Sequence, residues 1–294
     1  MHKLYTLIIL TGLYVPVFGQ RSVIPFQLTE YNNIAIQVTL NKKDTVHLMF
    51  HTASSSVTLT EEAVQKLTSV HFAGADTVKS WGRGDNTSRF SKSNTVQIGD
   101  LTWENIPIWE DKYSGQHTDG KFGPELFRQK VVEIDFDKKI IILHRDLPKK
   151  TKKYAKLKLT TEPGMMFIES SCDIGDTILK NKFLIHSGYS GSLLLDDDFV
   201  AKNRLGEKLK IIDERELKDS FGNILKTKKA ILPALLLGNE QLSDVPAGFF
   251  PGALGRQKMS SIGGDVLKRF NIIIDAQREY IYLKANHLKN EKYS

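Results

Sequence analysis

The chain has 294 residues, 40% of them hydrophobic and 26% charged, which suits one large or two smaller folded units and excludes a disordered chain or a coiled coil. A single cysteine, Cys172, excludes a disulfide framework and reads as a buried, inert thiol. The formal charge is +7, but the basic run Lys149, Lys150, Lys152 and Lys153 has no interleaved aromatics, so it reads as solvated chain and no nucleic-acid partner is expected.

In chain order, the first element is a leader. His2 and Lys3 precede an apolar run from Leu4 to Phe18, and Val17 and Gly19 are small enough for a signal-peptidase site. Cleavage after Gly19 is expected, making 1–19 a signal peptide and the protein secreted or periplasmic. The run is short and interrupted by Pro16, so no membrane span is expected after cleavage.

The rest of the chain repeats itself. A strand ending at Phe50 is followed by His51, Thr52 and Ala53; a strand ending at Ile185 is followed by His186, Ser187 and Gly188, 135 residues later. Each turn leads into a β-run, Ser56–Leu59 and Ser192–Leu195. Each run leads into a short helix with a capping side chain and acids in the first turn, Thr60 with Glu61 and Glu62, then Asp196 with Asp197 and Asp198. Further on, Ile98-Gly99 answers Leu237-Gly238. Gly123, a short helix and the strand Val131–Asp135 answer Gly263, a short helix and the strand Asn271–Asp275. Closing strands Ile140–Leu143 and Tyr280–Leu283 end the halves. Many short strands, glycine turns and short helices predict an all-β chain of two pseudo-symmetric lobes, 20–147 and 159–294, joined by a linker at 148–158.

These turns resemble the signature of the pepsin-like and retropepsin-like aspartic proteases, especially secreted bacterial members with fused lobes. In that signature an apolar strand ends in Asp-Thr/Ser-Gly, and a hydrophobic-hydrophobic-Gly segment follows; Phe122-Gly123 and Ile262-Gly263 resemble the latter. The resemblance runs from about residue 25 to residue 285 and implies two pepsin-type β-barrel lobes with a cleft between them. It implies that His51 and His186 stand where the catalytic aspartates would be, that Thr52 and Ser187 brace the two loops, and that Gly188 lets the loops approach. Ala53 departs from the glycine of the signature.

The family's chemistry needs two carboxylates that share one proton, one activating water and the other donating to the substrate carbonyl. Two imidazoles cannot reproduce that state. The expectation is therefore a non-catalytic homologue, monomeric, that takes a peptide or protein in the cleft. The alternatives are a hydrolase that uses His51 and His186, with or without a metal, and a scaffold with a closed cleft. Zinc sites need at least three protein ligands, for which His117 is the candidate third; no cofactor is expected. Asp119-Gly120 reads as a structural turn, and His47, His71, His144 and His287 as strand or loop residues. Trp81, in Trp81-Gly82-Arg83-Gly84-Asp85, and Phe221, in Phe221-Gly222-Asn223, are candidate hairpin tips over the cleft.

Overall fold

The computed structural model describes residues 21–79, 85–115, 117–162, 164–218, 224–250 and 257–294. The expected leader 1–19 and both hairpin-tip residues, Trp81 and Phe221, lie outside the described residues.

The first half holds β1 (Ser22–Pro25), β2 (Gln27–Leu28), β3 (Ile34–Leu40), β4 (Asp44–Phe50), β5 (Val57–Thr60), α1 (Glu61–Val64), β6 (Gly74–Lys79), β7 (Asp85–Ile98), β8 (Leu101–Asp111), β9 (Gly120–Phe122), β10 (Val131–Asp135) and β11 (Ile140–His144). The second holds β12 (Ala155–Glu162), β13 (Met165–Asp173), β14 (Ile178–His186), β15 (Leu193–Leu194), α2 (Asp197–Asn203), α3 (Leu205–Lys208), β16 (Lys210–Lys218), β17 (Ile224–Leu237), β18 (Glu240–Phe249), β19 (Ser260–Gly263), α4 (Gly264–Leu267), β20 (Phe270–Ile274) and β21 (Tyr280–Ala285). The caps act as the sequence suggests. The Thr60 hydroxyl accepts from Ala63 N at 3.1 Å and the Asp196 carboxylate from Phe199 N at 2.7 Å, each satisfying a free amide of the first helical turn.

Pairing closes a six-stranded barrel in each lobe. In the first, β3-β4-β9-β5-β8-β7 returns to β3; in the second, β13-β14-β19-β15-β18-β17 returns to β13. The order is the same in both, which is the structural form of the sequence repeat. Inward side chains such as Leu48, Phe50, Leu59, Phe122, Phe183, Leu193 and Ile262 are almost wholly buried and belong to one continuous core. That burial is the main force holding each barrel shut.

A third layer joins the halves. Strands β1, β11, β10, β20, β21 and β12 lie side by side, all antiparallel, with β10 and β20 from opposite halves meeting at its centre. One face of this platform is the apolar row of Ile24, Ile141, Ile134, Ile272 and Leu283, all buried. The stretch read as linker is not free chain: Lys149–Lys153 form a 3-10 helix and Ala155–Lys158 are the first half of β12, paired with β21. Its alternation of apolar and basic residues puts Ala155 and Leu157 inside and Lys156 and Lys158 outside.

Candidate functional site between the lobes

In each lobe a strand runs into the site and a second strand enters parallel to it. β4 pairs with β9 with Phe50 opposite Phe122, and His51 N donates to Phe122 O at 2.9 Å. β14 pairs with β19 with His186 opposite Gly263. Each histidine then starts the same tight turn. Ser54 N donates to His51 O and Tyr189 N to His186 O, both at 3.0 Å. A Cβ at Gly123 would overlap Ser54 O, so the crossing of β9 behind the first turn requires glycine there.

The two turns are clasped reciprocally. The Thr52 hydroxyl accepts from Ser187 N at 3.0 Å and donates to Ile185 O at 2.6 Å. The Ser187 hydroxyl accepts from Thr52 N at 2.9 Å and donates to Phe50 O at 2.7 Å. Thr52 and Ser187 are buried, so these four bonds replace water that the groups have lost. The clasp is two-fold symmetric in bonding, although one side is threonine and the other serine.

The clasp brings His51 and His186 together, their ring centroids 4.8 Å apart at 63°. The pair is not symmetric in its partners. Ala53 N donates to His51 Nδ1 at 3.2 Å, which places the proton of the neutral ring on Nε2. His186 Nδ1 is buried and has no hydrogen-bond partner. The His51 ring lies over Gly188, where a Cβ would overlap His51 Cδ2 and Nε2. The equivalent place in the first lobe carries the Ala53 methyl, which gives a local reason for the asymmetry.

Charge is disfavoured here. Burial, then the neighbouring His186 and then Lys121, hold His51 well below the usual imidazole range. Burial chiefly, with a smaller push from Lys121, brings His186 down to about 4. Lys121 sits in β9 opposite Met49, on the face that β4 shares with His51, and its ammonium is tied to Asp111 at 2.5 Å with both side chains largely buried. At neutral pH the site therefore presents two uncharged rings, each with one donor and one acceptor nitrogen.

His117 is not part of this group. It has positive φ, pairs with Glu30 at 3.0 Å and stacks against Tyr31 in a shallow pocket shared with His47, which corrects its candidacy as a third ligand. Among the described residues no three potential ligand side chains cluster to hold a metal. Asp119 accepts from His47 N at 2.7 Å and so fixes the start of β9, as a turn residue would. His144 is a strand residue, buried against Glu133 at 2.8 Å.

Three supporting residues were not legible as such. Asn33 Nδ2 donates to Ser187 O at 3.0 Å and Asn32 Nδ2 to Ser190 O at 2.9 Å, so the first lobe braces the second lobe's turn. An Asn-Asn pair before an apolar run reads as a turn, which it also is. Lys121 gave no signal beyond a polar residue within an apolar strand.

Residues 36–123 match the aspartyl protease family. Over the whole chain, the crystal structure of an aspartic proteinase from Irpex lacteus superposes with a TM-score of 0.64 at 12% identity, covering 94% of this chain and 100% of that one. This is the pepsin-like aspartic-protease fold. The family match falls within the first half of the chain, and the shared fold spans both halves. No curated protein matches the chain significantly. No helix among the described residues is long and apolar enough to cross a membrane.

Proposed function

We propose that the chain is a non-catalytic homologue of the pepsin-like proteases, exported by the leader 1–19, monomeric, and binding a peptide or protein segment between its lobes. In this reading His51 and His186 occupy the two dyad positions, Thr52 and Ser187 brace them, and Gly188 admits the His51 ring. The observation that carries it is the pair of uncharged imidazoles 4.8 Å apart on a clasped double turn. A dyad needs one ionised and one protonated carboxyl. The rings supply neither an oxyanion nor, at neutral pH, a protonated acid, because burial keeps both uncharged. The remaining chemistry is recognition: two neutral rings, each with one donor and one acceptor nitrogen, suit the N–H and C=O of a peptide unit.

The test is cleavage of a peptide library by the purified protein across acid and neutral pH, with and without zinc, alongside equilibrium binding of the same peptides. Binding without cleavage is the expected result. Zinc-dependent cleavage lost in His51→Ala would establish the hydrolase instead, and neither binding nor cleavage would favour the closed scaffold.

A further inference from the structure

The six-stranded platform has a second face, turned away from the barrels, whose composition the peptide site does not use. Register places Val23, Ile142, Glu133, Ile273, Tyr282 and Lys156 in one row across its strands. The middle of the row is covered. Ile273 and Tyr282 pack with Val131, Tyr154 and Tyr280, and buried Glu133 binds His144 and Lys150. Because Lys150 reaches Glu133, the 3-10 helix Lys149–Lys153 lies on this face, with Thr151 buried beneath it.

What remains outward is basic. Lys149, Lys152, Lys153 and Lys158 are exposed and make no ion pair among the described residues. Lys156 sits 3.6 Å from the centre of the Tyr280 ring and Lys284 5.9 Å from that of Tyr154, so the rings hold these two ammonium groups on the face. The acids nearby are engaged or marginal: Asp135 holds Lys138, and Asp146 and Glu279 at the edges pair with none of the six lysines. Two aliphatic side chains also face solvent: Val23, on the same row at the platform's other edge, at 52% exposure, and Leu147, two residues before the 3-10 helix, at 41%.

We propose that this face docks on an anionic lipid surface. Lysines with rotating ammonium groups suit a carpet of headgroups, and each lysine near such a surface strengthens binding about fivefold. Val23 and Leu147 decide between a membrane and a soluble polyanion, since an acyl boundary accepts aliphatic groups and a polyelectrolyte does not. Two tyrosines with apolar bodies and polar tips belong at the same boundary. This docking leaves the inter-lobe site untouched and does not depend on what that site binds.

The experiment is co-sedimentation of the full chain with vesicles of phosphatidylcholine alone and of phosphatidylcholine mixed with phosphatidylserine. The neutral vesicles measure what the apolar leader contributes. Excess binding to the anionic vesicles is expected, disappearing between about 0.1 M and about 1 M salt as the Debye length falls from about 10 to about 3 Å. Lys152→Glu, Lys153→Glu and Lys158→Glu together should reduce that excess about a hundredfold or more, with the urea midpoint unchanged because these side chains are exposed and unpaired. Val23→Ser with Leu147→Ser should weaken it severalfold at constant charge. Equal binding to both vesicle types would overturn the proposal. So would an unaffected Val23→Ser/Leu147→Ser protein whose anionic-vesicle binding is abolished by soluble polyphosphate.

Discussion

Lowering the pH should unfold this protein through His186 in a way that a single substitution can isolate. Folded, the ring takes its proton at about 4; unfolded, at its ordinary value near 6.5. Above about pH 6.5 both states are neutral there and the group has no effect on stability. Between about pH 6.5 and 4 the unfolded chain binds a proton that the folded chain refuses, so stability falls as pH falls. Below about 4 the loss stops growing. At about pH 4.5 linkage gives a loss of about 2.5 kcal/mol as an upper bound, and the ring's partly exposed edge reduces it to about 1–2 kcal/mol. The assay is urea unfolding at several pH values for the natural protein and His186→Asn. Asparagine keeps polarity without titrating, and every other titrating group cancels in the comparison except His51, whose own depression the substitution partly relieves. The natural protein should lose more stability than the variant between pH 7 and 4.5. Parallel curves for the two proteins would refute the reasoning.

Other outcomes follow from the same geometry. Thr52→Ala leaves Ser187 N and Ile185 O buried without partners and should cost about 2–4 kcal/mol in urea unfolding, whereas Thr52→Ser should cost far less. Gly188→Ala drives a methyl into the His51 ring and should cost about 1–3 kcal/mol; combined with His51→Ala it should cost much less, a coupling that a double-mutant cycle reads directly. Cys172 is wholly buried and its thiol is pushed up to about 12, so a thiol reagent at neutral pH should label it only as fast as the protein unfolds.

The fold was legible because it is written twice. The turns at His51 and His186, the caps at Thr60 and Asp196, and the strand Val131–Asp135 all lie where the repeat puts them, within a residue or two at the ends. Local patterns carry such elements: side-chain alternation, hydroxyl caps and glycine at crossings. What the sequence hid depends on contacts between the halves. A polar run after Pro148 looks like solvated linker, yet Lys150 is drawn onto Glu133 and the chain from Ala155 onward is a strand of the platform. Asn32 and Asn33 look like a turn, and nothing local says that they reach 158 and 154 residues ahead. His117 looked close to the site because β9 begins three residues later, but its backbone turns away at positive φ and its ring goes to Glu30. The pairing of His51 with His186 follows from the repeat; the unpartnered Nδ1 of His186 does not, since it depends on which ring claims the space over Gly188.

The central claim is that the two histidines replace the dyad on an otherwise intact scaffold. The direct measurement is pepstatin-sensitive peptide cleavage, from acid to neutral pH, by the natural protein and by the triple variant His51→Asp, Ala53→Gly, His186→Asp. None is expected from the natural protein, and measurable, inhibitor-blocked cleavage at acid pH is expected from the triple variant, since Thr52, Ser187 and Gly188 already hold the loops in place. Pepstatin-blocked cleavage by the natural protein would contradict that claim.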